Sequence, residues 1–462
     1  MPDIVSPIDG RVAFTYRDLP YEEALALVAR AEAAQRAFKK TSLEERAALC
    51  LRMLDAYRSH LDENASAIAK MMGKPVADAR GEFERGFSAR VRHLASIAAD
   101  ALADDVLTDQ PGFERVITRA PVGVVLVIAA WNYPLLVPIN TLAAAVLAGN
   151  AVVLKHAPQT ALVADQIERA FREAGAPEGL VIALHADHPT IARLVATRRF
   201  GYVSFTGSVR GGHEVYRTVA EHNFIGVGLE LGGKDPAIVL ADCDFDSTVE
   251  NLVDGAMYNS GQSCCAIERI YVEAPIYDRF VEAYVAKTRP YVVGDPFDAK
   301  TQLGPLVNEA AADRVRAQVA EAVAKGARDL LPEGSFTVPS TTRCYVAPRV
   351  LDRVDHSMQL MSEETFGPAI GIMKFERTDE AVRLANDSVY GLTASIWSTD
   401  VDRARRLSDE IEAGTVFLNR CDYLDPGLPW TGVKDTGFGV SLSKLGFLAV
   451  TRPKNRHFRL PG

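Results

Sequence analysis

Apolar residues recur three and four positions apart over residues 21–38 and again over 43–61, the spacing of helices that lay one face on a core. Thr41 or Ser42 stands where a hydroxyl can cap the second helix. Gly73-Lys74-Pro75 breaks the run, and another amphipathic stretch follows over 76–102. Residues 112–120 read instead as extended, with Phe113, Val116 and Ile117 as their apolar members. From there the pattern alternates. Strands are expected at 123–130, 151–155, 181–184 and 202–205, with helices at 138–148, 160–174 and 189–197. Units of this kind build a Rossmann-like parallel sheet with helices on both faces, and a nucleotide would sit at the carboxyl ends of its strands.

A second α/β series begins after Lys234, with strands expected at 236–239, 269–272, 369–375 and 415–419 and helices at 246–258, 277–287, 309–325 and 379–386. A chain of 462 residues is too long for one ordinary core, so two series are the expected outcome. The fold class is α/β, divided into one domain over 1–103 and 122–232, a second over 233–432, and a small β arm from 104–121 and 448–462. The boundary near Lys234 predicts a cleft between the two α/β domains.

Composition narrows the partners. With 48% hydrophobic and 24% charged residues the chain reads as soluble and globular, and a net charge of -9 without a basic run argues against nucleic acid. Residues 120–139 are apolar enough to suggest a membrane span, but Pro121, Asn132, Pro134 and Pro138 interrupt them, so no membrane partner is expected. Six cysteines, irregularly spaced and without a CxxC or HExxH pattern, predict neither a disulfide framework nor a metal site. The opening residues show no basic segment followed by an apolar core, and a reducing cytoplasm is the expected location.

Two stretches carry the chemistry. Gly228-Leu-Glu-Leu-Gly-Gly-Lys234 offers a carboxylate, and Asn259-Ser-Gly-Gln-Ser-Cys264-Cys265 offers a thiol. A thiol attacks as its thiolate, so a base or a positive field is needed nearby, and Glu230 could be that base directly or through water. Gly232, Gly233 and Gly261 would let a backbone or ligand approach closely, so both stretches read as irregular walls of a cleft. In Phe205-Thr-Gly-Ser-Val-Arg-Gly-Gly212, small residues lead into a helix whose first N–H groups could face a phosphate; the sequence is not GxGxxG.

Glu-Leu-Gly-Gly-Lys followed by Gly-Gln-x-Cys, in this order and at this separation, resembles the aldehyde dehydrogenase superfamily, and the resemblance runs from about residue 1 to the end. It implies a cofactor domain, a catalytic domain and an oligomerisation arm, in which the hairpin and tail pair with another subunit to give a homodimer or homotetramer. By the Gly-Gln-x-Cys spacing Cys264 is the implied nucleophile, with Cys265 pointing elsewhere. Asn132 and the Cys264 N–H are the implied oxyanion donors, and Glu230 the base for water. The implied cofactor contacts are Trp131, Lys155, Pro158, Phe205, Gly207, Ser208, Leu231, Glu364 and Phe366. Tyr133, Met257, Tyr258 and the loop 420–425 would shape a substrate tunnel, with Arg420 a candidate for reading a carboxylate.

The implied reaction oxidises an aldehyde to the carboxylic acid through a cysteine thiohemiacetal and thioester, followed by hydrolysis. A semialdehyde, an aliphatic aldehyde or an aromatic aldehyde would each fit. NAD is the implied cofactor. Pro158 stands where many NAD-preferring members carry a glutamate, which leaves NADP open, and Ser441 replaces a late glutamate of the family. Two alternatives stand beside this reading. Transfer of the acyl group to another nucleophile is disfavoured by Glu230, and a catalytically silent binding protein by the joint presence of Cys264, Glu230 and Asn132.

Overall fold

Every residue of the strands Val124–Ala129 and Ala151–His156 is buried, as strands covered on both faces must be. They form the centre of a six-stranded sheet in the computed structural model, which describes residues 2–461. In spatial order the sheet runs Gly437–Phe438, Gly226–Glu230, Tyr202–Thr206, Val124–Ala129, Ala151–His156 and Val181–Ala183. All neighbours are parallel except Gly437–Phe438, which lies antiparallel to Gly226–Glu230. The stretch 226–230 is therefore a regular strand, not the irregular wall that its glycines suggest. Its neighbours supply the hydrogen bonds that fix it, information absent from the segment itself.

A seven-stranded sheet holds the second series, in the order Arg328–Asp329, Arg349–Asp352, Ala369–Phe375, Ile267–Glu273, Asp235–Val239, Thr393–Trp397 and Thr415–Leu418. Only its short first strand is antiparallel to its neighbour. Residues 393–397, which the hydrophobic pattern leaves unassigned, fill the place beside Asp235–Val239. A third, antiparallel sheet of Thr451–Arg459, Phe113–Pro121 and Asp105–Leu107 forms the arm, in which the tail pairs with residues 113–121 of its own chain.

The helices begin where their caps dictate. Ser42 accepts from the Glu45 N–H while Glu45 reaches back to the Ser42 N–H, a reciprocal pair that starts Leu43–Ser59. The expected helix 43–61 stops at Ser59, and a separate helix, Leu61–Met72, follows. The expected stretch 76–102 is likewise three pieces: Val76–Gly81, a π-helical turn Glu82–Phe87, and Ser88–Ala101. No helix among the described residues is long and apolar enough to cross a membrane, and no metal-binding group of side chains is found among them.

Candidate active site

Glu230 ends the strand Gly226–Glu230, and the next residues cross to the second sheet, which begins at Asp235. Two glycines make the crossing tight. A Cβ on Gly233 would stand 2.3 Å from the Cys264 carbonyl oxygen, and one on Gly232 would stand 2.8 Å from Glu364 Oε1. The Glu-Leu-Gly-Gly-Lys stretch is thus the surface on which both the nucleophile's backbone and Glu364 rest. Lys234, fully buried, donates to Glu268 at 2.6 Å and to Thr365 Oγ1 at 2.9 Å, while Glu268 accepts from the Thr365 and Phe366 N–H groups.

Cys264 follows a turn in which Asn259 and Ser260 both adopt left-handed backbone angles, with φ of 54° and 56°. That strained turn is held in place by side chains. Asn259 Nδ2 donates to the carbonyls of Asn132, at 3.1 Å, and Gln262, at 3.0 Å. Asn132 Nδ2 donates to the same Gln262 carbonyl at 3.3 Å. The amide expected to stabilise an oxyanion is therefore anchored two residues before the thiol, with its second N–H unengaged by protein.

Cys264 and Glu230 line one cavity of about 390 Å³, together with Thr206, Leu231, Tyr133, Tyr258, Arg90 and Asp422. Glu230 Oε1 accepts from Ser441 Oγ at 2.5 Å and Oε2 from Thr206 Oγ1 at 3.4 Å. Burial pushes the Glu230 carboxyl above the usual carboxylate range, and Ser441, Arg90 and Thr206 pull it partly back. Cys265 also contributes to the cavity wall. Its Sγ donates to Asp422 at 3.0 Å, and Ser263 Oγ donates to the same oxygen at 3.1 Å. The neighbouring Cys264 and burial hold the Cys265 thiol well above its ordinary pKa, so it stays protonated. Burial raises Asp422 to about 6.

Of the tunnel residues expected from the sequence, Tyr133 and Tyr258 line the cavity, and so do Cys421, Asp422, Tyr423 and Leu424 of the loop 420–425. Met257 and Arg420 do not. Met257 is sealed in the core of the second domain, in the same buried cluster as Phe280 and Ile267, and Arg420 is exposed with its guanidinium stacked 3.3 Å over Tyr423.

The expected cofactor contacts fall along the carboxyl ends of the first sheet. Ser208 caps the helix Val209–His222, and Phe205 packs so closely that a Cβ on Gly207 or Gly211 would stand 2.7 Å from its ring. The first turn of that helix presents N–H groups and the positive end of its dipole. Lys155 is buried at a strand end with no carboxylate within 4.0 Å among the described residues, and burial lowers its pKa. Pro158 starts the turn Pro158–Thr160, which His156 ties to the loop before Leu135 by bonding Thr160 Oγ1 and the Pro134 carbonyl. Burial brings His156 down to about 4, so it acts as a neutral strut. Trp131 and Phe366 meet edge to face at 5.5 Å, and Leu231 lies between the cavity and Gly212. Glu364, raised to about 7 by burial, accepts the Gly233 N–H on one oxygen and leaves the other free. An unpaired buried cation, a helix N-terminus and a carboxylate with a free oxygen match the phosphates and ribose hydroxyls of a dinucleotide.

The aldehyde dehydrogenase family model matches residues 2–455. The chain belongs to the aldehyde dehydrogenase family. It is 36% identical over 453 residues to a succinate-semialdehyde dehydrogenase [NADP(+)] of Deinococcus radiodurans, covering 97% of this chain and 93% of that one. It is 35% identical over 468 residues to a 3,6-anhydro-alpha-L-galactose dehydrogenase of Streptomyces coelicolor, covering 99% and 92%. Among solved structures, the succinic semialdehyde dehydrogenase of Streptococcus pyogenes in complex with NADP+ superposes with a TM-score of 0.93 at 29% identity, covering 99% of both chains. This aldehyde dehydrogenase is an oxidoreductase that uses NAD(P) to oxidise an aldehyde.

Two arrangements of this member escape a reading of its sequence, which singles out Ser441 and the loop 420–425 but not what they touch. Thr206 and Ser441 come from distant positions to hold one carboxylate, and Asp422 joins Ser263 and Cys265 only through the fold. Arg90 had a visible signal. It interrupts the buried stripe Phe87, Val91, Leu94, Ala98 of its helix with a cation.

Proposed function

We propose that the enzyme is of the hydrolytic type, with Cys264 as nucleophile, Glu230 as base, and the Asn132 amide with the Cys264 N–H as oxyanion donors. The Cys264 thiolate forms a C–S bond to the carbonyl carbon, and the negative charge that develops on oxygen falls to the two donors. What a bound nicotinamide supplies is a two-electron acceptor. Trp131, Lys155, Phe205, Gly207, Ser208, Leu231, Glu364 and Phe366 would hold the dinucleotide. Glu230 then takes a proton from water, the oxygen of that water bonds to the acyl carbon, and the C–S bond breaks to release the acid and restore the thiol. The observation that carries this reading is the single cavity shared by Cys264 and Glu230.

The proposed cofactor is NADP+ as well as NAD+. Pro158 itself brings no carboxylate to Lys155, whose nearest acids, Asp18 and Asp187, stand beyond 4.0 Å, so the lysine stays free to meet a 2'-phosphate, and the named relatives include NADP+ enzymes. The proposed substrates are semialdehydes, and the working form a homodimer or homotetramer in the reducing cytoplasm, consistent with six unpaired cysteines. A spectrophotometric screen of aldehydes with both cofactors tests the reading. Wild-type enzyme should reduce NADP+ with a semialdehyde, and Cys264→Ala should lower kcat by about 10⁴-fold or more. Undiminished turnover in that variant would overturn it.

A further inference from the structure

Arg90 is only 5% exposed, yet no carboxylate lies within 4.0 Å of it among the described residues. Its guanidinium is engaged on one side alone. Nη1 donates to Asn140 Oδ1 at 2.7 Å and to the Leu136 carbonyl at 3.1 Å, while Nη2 and Nε have no acceptor among the described residues. The acids whose fields reach it are already occupied. Glu82 binds Lys74 and the Leu135 and Leu136 N–H groups, and Glu230 binds Ser441 and Thr206. A buried guanidinium without a contacting counter-ion is costly, and the fold gives it only the more distant fields of Glu82 and Glu230. The side chain lines the cavity that also holds Cys264.

Resting on the function proposed above, we propose that Arg90 binds the far-end carboxylate of the aldehyde and so makes this enzyme selective for ω-carboxy aldehydes. A planar guanidinium held at one corner by Asn140 keeps two donors for a bidentate carboxylate. Charge decides against a phosphate. Among the described residues Arg90 is the one buried cation lining a cavity that Glu82 and Glu230 also line, so it can neutralise a single carboxylate, whereas a phosphate dianion would bring a second, unbalanced charge against those acids. Arg85 and Asp254 also line the cavity but are exposed, where water screens both charges, and Arg420 faces away.

The test compares kcat/KM for a four-carbon ω-carboxy aldehyde, an uncharged aldehyde of equal length and a phosphate-bearing aldehyde, in wild type, Arg90→Met and Arg90→Lys. The wild type should prefer the carboxylate. Arg90→Met should erase that preference by about 10- to 100-fold through KM, the range expected for a lost charged hydrogen bond, and Arg90→Lys should restore part of it. An equal loss on the uncharged aldehyde would make Arg90 a general electrostatic or folding residue and overturn the inference while leaving the enzyme's class intact. A preference for the phosphate substrate would overturn it too. No NAD(P)H from any aldehyde would sink the underlying function instead. Should Arg90→Met fail to fold, the wild type still decides: with NADP+ present, succinate should raise the melting temperature and succinamide should not. Equal shifts would refute the assignment.

Discussion

Glu230 has to be a carboxylate when it takes a proton from water, yet burial favours its neutral form. Ser441 and Thr206 donate to the ionised form, and Arg90 contributes an opposite charge. Where relatives in this family place a glutamate, this chain has a hydroxyl that steadies the base directly. Removing it gives a prediction with a definite sign. In Ser441→Ala the carboxylate loses a donor, its pKa rises further, and less of it is ionised at any given pH. The acid-side limb of the kcat profile should therefore move to higher pH, with the plateau at alkaline pH retained. Measured kcat against pH for both proteins checks this; a limb that stays put would mean that the hydroxyl does not touch Glu230 during turnover.

At the scale of elements, the π-helical turn Glu82–Phe87 is the feature that shapes the cavity. One extra residue in the turn swings Glu82, Arg85 and Gly86 to the wall that Arg90 continues. Lys74, buried with Glu82 at 2.5 Å, also lies over the Tyr133 ring at 4.2 Å, so the pair clamps the loop 131–136 that carries Asn132. Glu82→Gln would leave Lys74 buried without a counter-charge, a loss of about 3–5 kcal/mol. Amide hydrogen exchange in residues 131–136 should rise by about 100-fold or more if they open locally. Replacing both members, Lys74→Met with Glu82→Met, should recover much of the protection, since an apolar pair leaves no unpaired charge. Unchanged exchange in the single variant would show that something else holds the loop. Sequence periodicity could find the helices on either side of the turn, because their buried faces repeat at helical spacing. It could not find the turn, whose wider winding depends on the loop it packs against. The strand ending at Glu230 was hidden for a related reason: with Gly226 and Gly228 inside it, 226–230 lacks a side-chain alternation, and only its pairing with Tyr202–Thr206 and Gly437–Phe438 makes it regular.

At the scale of the molecule the chain joins its two large sheets twice. It crosses once at Gly232-Gly233 and returns to place Gly437–Phe438 against Leu229 and Glu230, which delivers Ser441 to the base three residues later. The motifs on either side of the first crossing were legible because thiol, acid and glycines are distinctive residue types; the return was not, because Ser441 has no distinguishing local pattern. The arm stands apart from both sheets. Its tail strand is exposed over all but its first residue, and the opposite strand, Asp105–Leu107, is exposed throughout. Three antiparallel strands with so little of their own core are marginal in isolation, and an open edge is a template for another chain. The two edges differ in kind. Arg452, Pro453, Lys454, Arg456 and Arg459 discourage pairing along the tail, whereas Val106 and Leu107 offer apolar side chains 64% and 45% exposed. The proposed assembly should therefore depend on the second edge. Val106→Lys with Leu107→Lys removes apolar surface that the single chain leaves in water, so its own fold loses little. Light scattering should then fall from a multiple of the chain mass to a single chain, with the circular dichroism spectrum preserved. A variant that keeps the wild-type mass would place the subunit contact elsewhere on the molecule.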